Sequence, residues 1–120
     1  MNDAQIGYGS MRASTASPRT TERAILRRLA AEIEGASSDY ARLAQAVQRN
    51  GELWTTLAVD LASPGNALPA SPRAQLISLA GFVLRHSRSV LAGEAEPGVL
   101  ADLNRTIADG LDKAALSEAA

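Results

Sequence analysis

Few residues in this sequence have side chains that could support acid–base or metal chemistry. There is one histidine, His86, and there is no cysteine. One imidazole cannot form a metal site alone, and the helical neighbours four positions away, Phe82 and Val90, are not ligands. No HExxH motif, no glycine-rich phosphate loop and no serine–histidine–aspartate set with supporting spacing is present. We therefore predict that the protein is not an enzyme, and we expect no catalytic residue, metal or cofactor.

Two weaker chemical candidates remain. The tripeptide Gly7-Tyr8-Gly9 is too short to surround a phosphate group. Asp60 follows an apolar stretch and would either be a buried carboxylate or, as we favour, cap a helix or form a salt bridge near the following turn, for example with Arg73. The sequence shows no pair of carboxylates suited to acid–base catalysis. It therefore favours a binding function.

Composition and charge limit the possible classes of protein. A chain of 120 residues with 46% hydrophobic residues is expected to form one domain with a real core. The net charge is -1, with 12 basic and 13 acidic residues, so direct nucleic-acid binding is not expected. The absence of cysteine fits a reducing compartment. The N-terminus lacks the apolar region of a signal peptide, and no apolar run approaches roughly 18 residues, so we expect neither a signal peptide nor membrane insertion.

The chain is organised around residues 50–79, which we interpret as a helical hairpin. In its first arm five apolar residues and one asparagine form a stripe with spacings of 4, 3, 4, 3 and 4 residues; they are Leu43, Val47, Asn50, Trp54, Leu57 and Leu61. This heptad pattern continues through Gly51 and predicts one helix over residues 38–62. A break at Asn50-Gly51, a dipeptide common in turns, is the alternative.

Two residues of this stripe allow a structural and a functional interpretation. Asn50 is either a polar core residue that sets the register between helices or a contact to a partner. Trp54, the single tryptophan, is either core or part of a binding interface, where tryptophan is enriched. The spacing alone does not separate these alternatives.

The second arm follows a turn over residues 63–69, which contains two prolines, a glycine and an asparagine. Ser71 followed by Pro72 predicts an N-cap and a first helical position. The buried stripe then comprises Leu76, Ala80, Val83, Ser87 and Val90. We expect this arm to end near Gly93.

One more helix is predicted on each side of the hairpin. Ser17-Pro18 begins the first one, and the last carries the stripe Leu100, Leu103, Ile107 and Leu111. The predicted helices are 18–34, 38–62, 72–92 and 98–112. Because the connections are short, we expect sequential neighbours to be antiparallel, which gives an all-α, small single-domain bundle over residues 17–112. Residues 1–16 are predicted to be a flexible arm and residues 113–120 a fraying tail.

Basic residues cluster on the first helix at Arg23, Arg27 and Arg28, with Arg19 just upstream. We interpret them as a solvated face that is partly paired with Glu22, Glu32 and Glu34 at helical spacing. A contact to RNA is the alternative, but no aromatic residues are interleaved with these arginines.

An ordered set of residues over positions 17–111 resembles the FlaF family, flagellar biosynthesis regulators of alphaproteobacteria. The matching residues are Ser17-Pro18-Arg19, Thr21-Glu22, Asn50, Leu53-Trp54, Asp60-Leu61-Ala62, Pro64-Gly65-Asn66, Leu68-Pro69, the run Arg73-Ala74-Gln75-Leu76-Ile77-Ser78-Leu79, Val83, His86, Asn104-Arg105, Ile107 and Gly110-Leu111. The chain departs from the family where it has Arg49 in place of a frequent tryptophan, Gly51 and Glu52 in place of a frequent arginine, and Phe82 in place of a frequent tryptophan.

The resemblance implies a cytoplasmic protein that acts on flagellin together with the companion regulator FlbT. It implies a flagellin-binding secretion chaperone that also promotes flagellin production. The alternatives are a post-transcriptional regulator that acts with FlbT or on flagellin mRNA, and a structural adaptor of the export apparatus. For the chaperone we expect an apolar groove that covers an amphipathic flagellin segment. The expected partner-binding residues are Asn50, Leu53, Trp54, Leu57, Arg73, Phe82 and His86.

Overall fold

The computed structural model describes the backbone of residues 18–36 and 38–119, and the side chains of residues 22–36 and 38–113. It contains four α-helices within these ranges: α1 (Pro18–Gly35), α2 (Tyr40–Ala62), α3 (Ala70–Leu91) and α4 (Gly98–Ala119). No strand occurs in the described ranges, so the predicted all-α bundle is confirmed. The predicted flexible arm, residues 1–16, lies outside them.

The helices begin at caps that the sequence indicates only in part. α1 begins at Pro18, as predicted. α2 begins two residues later than predicted because Asp39 is its N-cap, and the Asp39 side chain accepts a hydrogen bond from the Arg42 N–H at 3.2 Å. The prediction that Ser71 caps α3 is wrong: the helix begins at Ala70 with Pro69 as N-cap. Pro72 is accommodated because it lies in the first turn, where backbone N–H groups lack intrahelical partners.

The structure confirms the continuous α2 and the predicted end of α3, and it extends α4 beyond its predicted end. α2 is continuous through Gly51, so the alternative break at Asn50-Gly51 is wrong. α3 is terminated by Gly93, which has a φ of 77°, and the Glu94 N–H donates to the Ser89 carbonyl at 2.8 Å. Glycine adopts this left-handed conformation without the Cβ penalty of other residues. The backbone of α4 stays helical to Ala119, past the predicted end at residue 112.

The bundle consists of two antiparallel helix pairs. α1 packs most extensively against α4, and α2 packs against α3; α1 also contacts α2, whereas α3 and α4 contact each other sparsely. The direction of the α2–α3 pair follows from the Tyr40 hydroxyl, near the start of α2, which donates to the carbonyl of Leu91 at the end of α3 at 3.0 Å. The pairing of the first helix with the last goes beyond the predicted contacts between sequential neighbours.

The core contains part of each predicted stripe with small residues between them, whereas the stripe residues Leu57, Leu76, Leu103, Ile107 and Leu111 are only half-buried. Its largest fully buried apolar side chains are Trp54, Leu26, Ile33, Leu100, Val47 and Val83. Alanines at positions 30, 46, 80, 101 and 108 are buried beside them, which allows the helices to approach closely. Burial of these apolar side chains supplies the main driving force for packing the four helices together.

The turn between α2 and α3 is organised by Asn66. The amide nitrogen of Asn66 donates to the backbone carbonyl of Asp60 at 3.2 Å and to its Oδ2 atom at 3.1 Å, and the Asn66 Oδ1 atom accepts from the Leu68 N–H at 3.0 Å. Asp60 is exposed, so it is not a buried carboxylate, and its side-chain partner is Asn66 rather than the expected Arg73. The turn thereby fixes the start of α3 relative to the end of α2.

Candidate partner-binding surface

The structure divides the seven expected partner-binding residues into a buried and an accessible group. Asn50 and Trp54 have exposed fractions of 0% and 1%, respectively. The remaining five are accessible: Leu53, Leu57, Arg73 and His86 are half-buried, and Phe82 is 39% exposed. The expectation that Asn50 and Trp54 contact a partner is therefore corrected, because their side chains lie inside the core; the core interpretation of both residues is the one that the structure supports.

Asn50 and Trp54 belong to a buried hydrogen-bond network centred on Asn104. The Trp54 indole N–H donates to the Asn104 Oδ1 atom at 2.9 Å. The Asn104 amide nitrogen donates to the Asn50 Oδ1 atom at 2.7 Å and to the Leu26 carbonyl at 3.0 Å. The network joins α1, α2 and α4 at one level of the bundle, and it sets their relative register.

The donor character of Trp54 fixes the orientation of both amides. Because an indole N–H can only donate, the atom of Asn104 that faces it must be the oxygen. The nitrogen of Asn104 then faces Asn50, which must present its own oxygen. The Nδ2 atom of Asn50 is left without a hydrogen-bond partner among the described residues. Replacing any member of this set therefore leaves a buried polar group unmatched.

Asn104 was absent from the expected site residues although it lies beside the stripe of α4. The available signal was one amide on the stripe of α2, Asn50, and one beside the stripe of α4, Asn104. Helical periodicity relates residues three and four positions apart, and these two are 54 positions apart. Their pairing is a consequence of the packing of α2 near α4.

Six accessible apolar side chains lie at the edge of the core, and we call this set the apolar rim. Its residues are partly buried and pack against the core; they are Leu53, Leu57, Leu79, Leu103, Ile107 and Leu111. They come from α2, α3 and α4. The members on α3 and α4 border two helices that contact each other sparsely.

Phe82 lies one helical turn from Leu79 on α3, and His86 holds it in place. The rings of Phe82 and His86 are stacked with centroids 5.4 Å apart and an interplanar angle of 26°. The His86 Nε2 atom lies 2.9 Å from the carbonyl oxygen of Glu96. Because a carbonyl oxygen only accepts, Nε2 carries the proton and donates. His86 therefore ties α3 to the loop before α4 and restricts the Phe82 ring to an accessible position.

The basic cluster of α1 is paired across the helix interface. The Arg27 guanidinium donates to Asp109 at 2.9 Å and also pairs with Asp112, and Arg23 pairs with Asp112. The hydrogen bond to Asp112, followed by that to Asp109, raises the pKa of Arg27 above its ordinary value. Much of this basic charge is thus matched by α4, beyond the pairing within α1 that the helical spacing predicted.

A second set of ion pairs joins the other end of α1 to its neighbours. Arg105 forms a bidentate pair with Glu34 at 2.6 and 2.8 Å, and Arg49 pairs with Glu32. The hydrogen bonds from Arg105 are the main reason that the pKa of Glu34 is lowered and that of Arg105 is raised. These pairs align α1 with α2 and α4.

Neither a metal centre nor a membrane span is found in the described ranges. No group of three or more histidine, cysteine, aspartate or glutamate side chains there could hold a metal ion. None of the four helices is long and apolar enough to cross a membrane. The accessible surface in the described part of the chain therefore offers apolar side chains, single charges and hydrogen-bonding groups for recognition.

Comparison with known families gives one match. The sequence model of the family described as flagellar protein FlaF matches residues 4–111. The match covers the bundle from α1 into α4 and extends into residues that precede α1. Comparisons with curated proteins and with solved structures found no significant match.

Proposed function

Because the chain belongs to the FlaF family of flagellar proteins, we propose that it is a cytoplasmic flagellin-binding secretion chaperone. In this proposal it covers an amphipathic segment of unassembled flagellin and presents the subunit for export. Covering that segment prevents flagellin from self-associating and keeps it available for export. The proposal also includes that the protein promotes flagellin synthesis.

One observation carries the proposal, namely that the apolar rim is only partly covered by the fold. Six leucine and isoleucine side chains from three helices remain partly accessible there. Phe82, with 39% of its surface exposed, adds an aromatic anchor whose position is restricted by His86. An amphipathic helix could bury its apolar face against such a surface.

The residues near the rim divide into contact and orienting groups. Leu53, Leu57 and Phe82 supply apolar contact, since their side chains are accessible. Arg73 and His86 supply polar contacts that fix the direction of the bound segment. Asn50 and Trp54 act from inside the core by holding α2 and α4 in register, which keeps Leu53 and Leu57 in position relative to Leu103.

The alternative of a direct contact to flagellin mRNA receives no support from the basic cluster of α1. Arg23 and Arg27 pair with Asp109 and Asp112, and RNA would have to displace these carboxylates. Action through FlbT is compatible with flagellin binding, because one partner can occupy the apolar rim while another binds elsewhere. We therefore place flagellin first.

Calorimetric titration with the flagellin of the same bacterium tests the proposal. We expect micromolar or tighter binding with a negative heat-capacity change and little dependence on salt, as is typical of apolar burial. Phe82→Ala is expected to weaken binding about tenfold, since an interface aromatic contributes about 1–3 kcal/mol. Val59→Ala is the matched control, because Val59 is 67% exposed and is not one of the residues that pack against the core.

Two outcomes would contradict the proposal. The absence of flagellin binding would remove the chaperone function. Equal affinity of the wild type and Phe82→Ala, with both proteins folded by circular dichroism, would remove the apolar rim as the binding surface. A binding affinity that falls steeply with salt would instead indicate an electrostatic interface.

A further inference from the structure

The charges of α3 differ from those of the other helices. Its sequence contains three arginines and no aspartate or glutamate. Arg85 and Arg88 are exposed, and neither has an ion-pair partner in the described part of the chain. On the other helices four arginines are paired, namely Arg23, Arg27, Arg49 and Arg105, whereas Arg28 on α1 and Arg42 on α2 are exposed and form no ion pair among the described residues. Uncompensated positive charge therefore occurs on the exposed side of α3.

The level of α3 relative to α2 follows from one close approach. A Cβ atom at Gly51 would lie 3.5 Å from the Leu84 Cδ2 atom. Val59 lies eight residues after Gly51 on α2, and Ile77 lies seven residues before Leu84 on α3. Since the two helices are antiparallel, both residues are displaced about 10–12 Å from that approach in the same direction. Val59 and Ile77, with exposed fractions of 67% and 36%, therefore lie at the same level of the hairpin.

Four residues of α3 continue this surface as one stripe. Ile77, Gly81, Arg85 and Arg88 are separated by four, four and three residues, which places them on one face of the helix. Gly81 has no side chain, and the Arg85 Nη1 atom lies 3.2 Å from the position that a Cβ there would occupy. The Arg85 guanidinium therefore lies over Gly81, and the stripe is apolar at one end and basic at the other. We call the surface formed by Val59, Ile77, Gly81, Arg85 and Arg88 the outer hairpin face.

The outer hairpin face is distinct from the apolar rim. Leu84 is the residue of α3 that approaches α2. Three members of the outer hairpin face lie at helical spacing from Leu84 and therefore on its side of the helix; Ile77, Gly81 and Arg88 are seven, three and four positions away. His86, next to Phe82, instead contacts the loop before α4. The two surfaces thus occupy different sides of α3, and the flagellin proposal does not depend on the outer hairpin face.

We propose that the outer hairpin face binds an acidic amphipathic helix of a partner protein. The apolar side chains of that helix cover Val59 and Ile77, and its carboxylates pair with Arg85 and Arg88. An arginine pair without internal partners is available for carboxylates at no cost of breaking an existing ion pair. A nucleic acid fits less well, because single-stranded binders combine a basic groove with stacked aromatic side chains, whereas the apolar members of this face are aliphatic.

The test uses the full-length protein and a fluorescently labelled model peptide. The peptide is a helix of about 20 residues with leucines on one face and flanking glutamates, and a second peptide carries lysines in place of the glutamates. In anisotropy titrations we expect the acidic peptide to bind with a salt-dependent affinity and the basic peptide to bind at least about tenfold more weakly. Val59→Ala is expected to weaken binding of the acidic peptide, and Phe82→Ala is expected to leave it unchanged.

A charge-matched pair of double variants identifies the surface. Arg85→Glu with Arg88→Glu is expected to weaken acidic-peptide binding by about tenfold or more. Arg28→Glu with Arg42→Glu makes the same change in net charge at exposed arginines of α1 and α2, and it is expected to have little effect. Both double variants should keep the wild-type circular dichroism spectrum, because none of the four arginines forms an ion pair among the described residues.

Three results would overturn the proposal. Equal binding of both peptides would show that charge is not recognised. Equal loss in both double variants would show that net charge, and not the outer hairpin face, attracts the peptide. Tighter binding of a single-stranded RNA than of the acidic peptide, lost with Arg85→Glu and Arg88→Glu, would reassign the face to nucleic acid. Loss of flagellin binding with retained peptide binding would affect only the chaperone proposal.

Discussion

Trp54 and Asn104, 50 residues apart in the chain, form a hydrogen bond of 2.9 Å inside the core, with the indole N–H as donor. Asn104 uses its nitrogen to bind both Asn50 and the Leu26 carbonyl. One amide of α4 thus satisfies polar groups from two other helices, α1 and α2. The α2 surface that carries Leu53 and Leu57 depends on this amide for its position, although Asn104 itself is fully buried.

Asn104→Leu is expected to destabilise the protein by about 2–4 kcal/mol. The substitution keeps the side chain similar in size but leaves the Trp54 N–H and the Asn50 amide without partners, and each buried unsatisfied group costs about 1–3 kcal/mol. Urea unfolding followed by circular dichroism measures the loss. Thr106→Ala, an exposed substitution on the same helix, should change stability by less than about 0.5 kcal/mol. Equal stability of the two variants would show that the network contributes nothing.

Trp54→Ala is expected to destabilise the protein by about 3–5 kcal/mol, because it removes the largest fully buried side chain and leaves a cavity. Trp54→Phe should cost less, since it keeps most of the apolar volume and removes chiefly the N–H donor. Thermal and urea unfolding of both variants test this order. Flagellin binding by folded Trp54→Phe should stay close to that of the wild type; a loss much larger than that caused by Phe82→Ala would return Trp54 to the interface.

Gly51→Ala is expected to stabilise the protein by about 0.5–1 kcal/mol. Alanine favours a helix over glycine by about this amount, and the new Cβ would make an ordinary contact with Leu84 at 3.5 Å. Gly110→Ala is the matched control: it gives the same gain in helix propensity, but nothing lies within 4 Å of the added atom. A loss of stability specific to Gly51→Ala would mean that α2 and α3 cannot tolerate the methyl group.

Gly93→Ala should have the opposite sign to the two helical substitutions. The φ of 77° at Gly93 costs a non-glycine residue about 1–2 kcal/mol, although space is available for a methyl group. Chemical unfolding should therefore show a loss of about 1 kcal/mol or more. A neutral result would indicate that α3 can end in a different conformation.

The Glu34–Arg105 pair should make stability depend on acid pH. The pKa of Glu34 in the folded protein lies below its ordinary value of 4.5, so the folded state binds the proton less readily than the unfolded state. The stabilisation is therefore present above pH 4.5 and is lost as the pH falls through the lowered pKa.

Thermal unfolding between about pH 6 and pH 3 checks this dependence. Glu34→Gln should lose less stability over that range than the wild type, because its side chain does not titrate. Glu52→Gln is the control, since Glu52 is exposed and forms no ion pair with another described residue. Parallel curves for the wild type and Glu34→Gln would exclude a contribution from the pair.

Much of the secondary structure was predictable from local patterns in the sequence. The stripe from Leu43 to Leu61 required a continuous helix, because its spacing keeps phase across Gly51. Proline at position 18 and glycine at position 93 marked a beginning and an end through their own backbone preferences. The start of α3 was misplaced because a proline fits several positions of the first turn, and only the cap geometry distinguishes them.

For the candidate site, the sequence predicted only which residues lie on the apolar stripe of a helix and which lie beside it. Leu53 and Phe82 lay off the stripes and remain accessible, whereas Asn50 and Trp54 lay on a stripe and are buried. The sequence also showed that α3 lacks acidic residues, but it did not show that Arg85 and Arg88 have no partner on another helix. Pairing between helices depends on distances that sequence spacing does not contain.

The sequence by itself determined four amphipathic helices and an all-α class, because helix periodicity and the proline and glycine signals at helix ends act over a few neighbouring residues. It also determined membership of a flagellar family. Only the tertiary structure decided that α1 packs on α4, that Asn104 joins Trp54 to Asn50, and that the arginines of α1 face Asp109 and Asp112. Those contacts join residues at least 50 positions apart. They arise because apolar faces and buried polar groups must be matched simultaneously across all four helices.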